Sequence, residues 1–281
     1  MILVTAAAGR TGRSLVRALV RRGHQVRAFD IAPQVEELGA EGAAETVVGS
    51  LLDPVTVQQA CQGVESVVHI GPLFHHREAE MGHSVVAAAR DAKVGHFVQF
   101  SVTHPQIEML LNHQAKLAVE QVVIGSRIPF TILQPMHYMQ NVDVRTAVAD
   151  GVWRQPFGLN ARLSHVDLED VTEVAARVVG DPRHHNATYE LCGADDLNGH
   201  EIAERISEVA GHRVRAEQVP LDLSVSTEPQ DSEAEDYRQD ALFRLFGHYG
   251  RHGITGNPNV LTWLLERPPT SFREYVRRNL D

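Results

Sequence analysis

Apolar and polar positions along the amino-terminal half switch repeatedly between a strand-like and a helix-like pattern, and the switches mark the elements. Residues 1–5 (MILVT) form a short apolar run, read as a strand, that breaks into AAAGRTG at residues 6–12. A helical pattern follows, with Leu15, Val16, Leu19 and Val20 apolar and Arg13, Arg17, Arg21 and Arg22 polar, and Gly23 stops it. Residues 25–30 (QVRAFD) predict a second strand ending in a carboxylate. A short helix over 33–38, a strand over 45–48 and a helix to Cys61, opened by Asp53-Pro54, come next. Strands follow at 66–70, 96–100 and 130–133, separated by helices at 81–92 and 112–123. This alternation predicts an α/β fold, a doubly wound parallel sheet of Rossmann type with both faces covered.

The pattern changes after Gln134-Pro135. Residues 136–141 (MHYMQN) mix apolar and hydrogen-bonding groups, 147–155 read as a helix end and a short strand, and 164–166 as another short strand. A helix over 167–179 opens with Asp167 and Asp170 spaced as a capping box, and Asn198 with Glu201 and Ser271 with Glu274 repeat that spacing. Strands are predicted at 189–192 and 213–217. Residues 226–236 are polar and acidic, a loop or a helix start, and an amphipathic helix over 236–249 places Tyr237, Ala241, Leu242, Leu245 and Phe246 on its apolar face. The division predicted is a dinucleotide-binding domain over 1–135 and a smaller α+β lobe over 136–281 for substrate or partner, with room for segments to return to the main sheet. Such lobes commonly close over the crevice of the first domain.

Strand, glycine turn, helix, strand and acid form the first half of a dinucleotide-binding fold. The helix amino terminus offers N–H groups to a pyrophosphate, and Gly9 and Gly12 permit close approach. Ala6 stands where the first glycine of the fingerprint belongs, so the turn is expected to keep φ negative there or to alter the pocket slightly. The cofactor contacts expected are Ala6, Gly9, Arg10, Thr11, Gly12 and Asp30. The carboxyl ends of later strands add Ser50, Leu51, Ile70, Gly71, Pro72, Ser101, Lys116 and Pro135. A carboxylate at Asp30 accepts from both ribose hydroxyls of NAD and repels a 2′-phosphate, which favours NAD(H) over NADP(H). Arg10 suits a phosphate, and Arg27 reaches the same end only if the strand register allows it.

Composition narrows the class. The 281 residues carry 26 basic and 36 acidic side chains, a formal charge of −10, which disfavours direct nucleic-acid binding. Two cysteines, Cys61 and Cys192, make neither a metal-type nor a redox-type pair. No uncharged apolar stretch has membrane-spanning length and the first strand begins at Met1, so a cytoplasmic protein without a membrane partner is expected.

A nicotinamide reductase holds a hydride donor against an acceptor and usually supplies a proton, commonly from a tyrosine four residues before a lysine. Lys116 opens a helix after the fifth strand, but Asn112 occupies the tyrosine position and cannot serve as a comparable acid. His113 is the alternative acid, offset about 100° around the helix, and equally reads as a surface histidine at a helix start. Lys116 can bond a nicotinamide ribose without redox chemistry, or be a surface lysine. Phe74, His75, Met136, His137, Tyr138 and Asn141 are the candidates for substrate contact or lobe closure. His75, His76 and His137 invite a metal reading, discounted because no ligand spacing accompanies them. Asp167 and Asp170 are explained by capping.

At VTAAAGRTG (4–12), NHQAKLAVEQ (112–121), FTILQPMHYMQN (130–141) and SHVDLEDVTEVAARVV (164–179) the sequence resembles the NmrA-like group of atypical short-chain dehydrogenases/reductases. The resemblance implies a Rossmann domain with a small carboxyl lobe and bound NAD(H) or NADP(H). It implies either of two activities: reduction of quinones or other small unsaturated compounds, or redox sensing without turnover through a protein partner. The group often has histidine at the position of Asn112, usually glycine at that of Ala6, and commonly a basic residue near Asp30. The preferred expectation is an NAD(P)-dependent oxidoreductase passing a hydride to a small quinone or carbonyl-type substrate. The alternative is a catalytically silent NAD(P)-binding regulator.

Overall fold

The computed structural model describes residues 1–221 and 232–281. In chain order the amino-terminal elements are β1 (Ile2–Thr5), α1 (Arg10–Arg21), β2 (Val26–Asp30), β3 (Glu45–Val48), α2 (Pro54–Cys61), β4 (Ser66–Ile70), α3 (Glu78–Asp91), β5 (His96–Phe100), α4 (Leu111–Gly125) and β6 (Phe130–Pro135). There follow α5 (Val144–Asp150), β7 (Val152–Gln155), β8 (Leu163–Ser164), α6 (Leu168–Val178), β9 (Ala187–Leu191), β10 (Asp196–Leu197), α7 (Gly199–Ala210), β11 (Arg215–Gln218), α8 (Ser232–His252), α9 (Asn259–Leu265) and α10 (Phe272–Leu280). Two compact units result. The first comprises Met1–Glu108, Asn112–Gln134 and Val171–Tyr189, and the second Met109–Leu111, Pro135–Asp170 and Glu190–Asp281.

The main sheet has seven strands in the order β3-β2-β1-β4-β5-β6-β9, the doubly wound architecture expected. The pairings of β1 with β2 and β4, β2 with β3, β4 with β5, and β5 with β6 are parallel. Winding runs outward from β1 to β3, then restarts at β4 on the other side of β1. This reversal leaves a crevice at the carboxyl ends of β1 and β4, where such sheets bind ligands. Every residue of β1, β4 and β5 is buried, as central strands covered on both faces require. Leu3, Phe29, Val67, Phe97 and Ile132 from the strands pack with Val57, Val85, Val119 and Val123 from the helices.

The second unit has its own core, in which Met139, Val144, Ala147, Ile202, Ile206, Phe272 and Val276 come together. Two small sheets accompany it, β7 with β11 in parallel and β8 with β10 antiparallel. The capping boxes at Asn198/Glu201 and Ser271/Glu274 form as expected. Asp170 is engaged away from the helix start: its oxygens accept the Thr270 N–H at 2.6 Å and Arg267 at 2.8 Å, tying α6 to the carboxyl-terminal segment. Asp167 accepts from Gln140 and Arg278, each at 2.7 Å.

Four local details refine or depart from the expected pattern. Pro33–Gly39 is a 3₁₀ helix. α3 starts at Glu78, three residues before the apolar stripe suggested, because Glu78 is itself buried. α4 starts at Leu111, so Lys116 lies in its second turn. α9 has no counterpart in the sequence reading, its seven residues being too few to display a period. Of the polar stretch 226–236, residues 226–231 lie outside the described residues, and α8 begins at Ser232.

Candidate functional site

The turn after β1 departs from expectation at its first residue. Ala6 has φ +48°, so the left-handed conformation usually given to glycine is adopted by alanine, at a steric cost. The close helix–strand contact is made by Gly12: a β-carbon there would run into the Ala6 carbonyl and lie 2.6 Å from Ala7 Cα. No side chain caps α1 and no acid occupies its first turn.

Asp30 is anchored to this turn. One carboxylate oxygen accepts the Ala8 N–H and the other the Ala32 N–H, both at 2.9 Å. A carboxylate has about four acceptor positions, so each oxygen keeps one for a ligand. Arg13, unassigned by sequence reasoning, braces the turn from outside by donating to the Ala8 carbonyl, Glu37 and Glu41. Arg27 is removed from the cofactor question, since it pairs with Glu45 at 2.6 Å and donates to the Ala60 and Gln62 carbonyls. Those acceptors close α2, away from the carboxyl end of β2. Arg10 is exposed at the start of α1.

The ends of β4 and β5 carry a buried polar group of unusual density. Thr5 Oγ1 meets His69 Nδ1 at 2.9 Å, donates to the Ile70 carbonyl and accepts the Ile70 N–H. Burial, with the Lys116 charge adding to it, pushes His69 down to about 3, so it is neutral. Lys116 is no surface lysine: its Nζ lies 2.6 Å from Glu78 Oε1, with the two side chains 9% and 1% exposed. Burial drives the Glu78 carboxyl upward against the pull of Lys116. His113 is no surface histidine either. It is fully buried, and its Nδ1–H donates to the His104 carbonyl at 2.9 Å. Ser101 Oγ and Asn112 Oδ1 are buried with no hydrogen-bond partner among the described residues. Orphaned buried groups of this kind call for an explanation, and a polar ligand is one.

The remaining candidates divide between the units. In the first, Ser50 Oγ accepts the Leu52 N–H, Leu51 and Ile70 are buried, and Gly71 and Pro72 are half-buried. Phe74 has φ +57° and His75 stacks on His76 at 4.8 Å. In the second, Pro135 and Met136 are buried, and Tyr138 bridges to Val166. Asn141 Nδ2 donates to His137 Nε2 at 3.2 Å, and the His137 ring stands edge-on to His165 and Tyr249. Among the described residues no group of three or more His, Cys, Asp or Glu could hold a metal ion, and no helix is long and apolar enough to cross a membrane.

Glu78 was missed by sequence reasoning, although a signal existed. It sits at the head of the buried stripe Met81, Gly82, Val85, Val86 and Ala89, an acid on the apolar face of its helix.

The uncapped α1 terminus, the close Gly12 packing, the anchored Asp30 carboxylate and the orphaned Ser101 and Asn112 atoms together fit a nicotinamide dinucleotide. The NmrA-like family model matches residues 1–276. The NAD(P)H azoreductase of Xenophilus azovorans is 28% identical over 286 residues, covering 99% of this chain and 97% of that protein. An Escherichia coli NADPH-dependent quinone oxidoreductase, solved with NADPH, superposes with a TM-score of 0.78 at 22% identity over all of both chains. NmrA, a negative transcriptional regulator solved with NAD, has a TM-score of 0.77 at 20% identity over 98% of this chain and 94% of its own.

Proposed function

Because the chain belongs to the NmrA-like family, we propose that it is an NAD(P)H-dependent reductase acting on a small quinone or carbonyl-type acceptor. The observation that carries this reading is the buried Lys116 at the carboxyl end of the sheet, with the unpartnered Ser101 Oγ and Asn112 Oδ1 in the same unit. The azoreductase, similar over nearly its whole length, and the quinone oxidoreductase support it, since both act with a reduced nicotinamide.

When bound, the nicotinamide dinucleotide supplies the hydride. The α1 amino terminus, from Gly9 to Gly12, holds the pyrophosphate through backbone N–H groups and the helix dipole. Asp30 accepts from the adenosine ribose with the positions left after Ala8 and Ala32. With Arg27 engaged elsewhere, this favours NAD(H) over NADP(H). Lys116 donates to the nicotinamide ribose, and Ser101 and Asn112 complete the polar set around it. Phe74 and His75, just beyond Gly71-Pro72 in the first unit, are assigned to the acceptor, one apolar and one polar side chain. Asn112 stands where a tyrosine would donate a proton, so the reduced acceptor takes its proton from water or a weak side chain. General acid help is worth about 10²–10⁴-fold, which a readily reduced quinone can forgo.

The experiment is NADH and NADPH oxidation followed by absorbance with quinones, azo dyes, enones, aldehydes and nitroaromatics, for the wild type and Lys116→Ala. Turnover with at least one class, lost in the variant, is expected. Asn112 also favours a second reading, a regulator without turnover. No oxidation across the panel, with capture of a protein partner that depends on cofactor form, would establish that reading instead.

A further inference from the structure

The Glu78–Lys116 pair has no place in the binding scheme above beyond the lysine itself. We propose that Glu78 is a positioning residue, holding Lys116 as a fixed ammonium beneath Gly71 so that the dinucleotide meets an oriented N–H donor within a neutral pair. The proposal rests on the dinucleotide reading of this site and lies wholly within the first unit.

Three observations carry it. The contact is short, 2.6 Å, and both partners are almost fully enclosed, so each is the main solvation the other has. The pair lies directly against the backbone at the end of β4: a β-carbon on Gly71 would stand 3.0 Å from Glu78 Oε1 and 3.2 Å from Lys116 Nζ. A glycine there is what allows the main chain to pass this close. The lysine has three donors, and the ion pair with Glu78 engages at most one of them, leaving two for a ligand.

Among the described residues, the neighbouring ionisable groups on β4 and α4 are engaged elsewhere. From β4 the neighbour is His69, neutral and bonded to Thr5. On its own helix, Glu120 accepts from Gln134 Nε2 at 2.8 Å, and His113 is committed to the His104 carbonyl. A buried ammonium without its carboxylate loses its proton easily, because burial penalises the charged form. Glu78 therefore keeps the lysine aimed.

The test uses Glu78→Gln, with calorimetric titration of NADH and NADPH at about pH 6 and about pH 9, values bracketing the range in which a buried lysine titrates. Wild-type affinity should change little between the two. The variant should bind at least tenfold more weakly at the higher pH. A second readout needs no ligand. The chain holds two lysines, Lys93, which is exposed, and Lys116. The ¹³Cε signal of Lys116 in the free protein should therefore differ between Glu78→Gln and wild type, with the Lys93 signal as the unmoved control. Should Glu78→Gln fold poorly, the neutral double variant Glu78→Gln/Lys116→Met is compared with Lys116→Met. The two should bind alike if Glu78 acts through the lysine. Unaltered affinity at both pH values with an unaltered Lys116 signal overturns the proposal, as does a double variant that binds worse than Lys116→Met. Absence of dinucleotide binding by wild type refutes the functional reading instead, and leaves the lysine signal to decide on the pair.

Discussion

Gly12→Ala is the sharpest single test of how the glycine turn is built. The added methyl would lie 2.6 Å from Ala7 Cα and 2.8 Å from Ala7 C, and closer still to the Ala6 carbonyl oxygen. Ordinary carbon–carbon contact begins near 3.5–4.0 Å, so the overlap is about 1 Å. All three obstacles are backbone, and no rotamer change relieves them. α1 must instead move off the strand, loosening Leu15, Val16 and Leu19, each 0% exposed. Overpacking costs about 1–3 kcal/mol where side chains can adjust, so about 3 kcal/mol is expected here. For a unit of this size that lowers the melting temperature by about 6–12 °C. Dinucleotide affinity should fall at least tenfold, because a displacement of about 1 Å at a binding group is costly. The matched control is Gly125→Ala, where nothing lies within 4 Å of the new methyl and φ is not positive; it should stay within about 0.5 kcal/mol of wild type. Thermal melts and calorimetry on the three proteins suffice. A Gly12→Ala protein as stable as the control would refute the packing argument.

Ala6→Gly should stabilise modestly, by up to about 1 kcal/mol, as relief at φ +48° outweighs the added freedom of the unfolded chain; a clear loss in urea melts would show the turn is unstrained. Asp30→Ala should narrow any preference for NADH over NADPH at least tenfold while weakening the turn, since the Ala8 and Ala32 N–H groups lose their acceptor; an unchanged affinity ratio removes Asp30 from cofactor selection. Acid should destabilise the fold through His69. Its native value of about 3 is below the unfolded value of about 6.5, so the unfolded chain binds the extra proton between them. The contribution is full above about pH 6.5 and is lost as pH falls toward 3, by on the order of 2 kcal/mol at about pH 5. The stability difference between about pH 7 and pH 5 should shrink by about that amount in His69→Gln; an equal difference in both proteins would assign the acid sensitivity elsewhere.

What the sequence determined by itself is the local grammar. β1, α1 and β2 follow from apolar period and the stop at Gly23, and the capping boxes at Asn198/Glu201 and Ser271/Glu274 follow from signals three residues apart. The alternation of strands and helices was enough for a doubly wound parallel sheet, because burial on both faces leaves continuous apolar runs such as SVVHI. The tertiary structure decided what depends on partners far away in the chain. Lys116 and Glu78 are 38 residues apart and meet because β4 and β5 lie in register and set α3 beside α4. Arg27 was drawn from the cofactor question by Glu45 and the end of α2, and Asp170 from simple capping by Arg267 and Thr270. Ala6 took the backbone angle of a glycine because the contacts of Gly12 and Asp30 hold the turn around it. Propensity and period act over a few residues, whereas a buried charge takes its state from whichever group the fold brings within hydrogen-bonding distance.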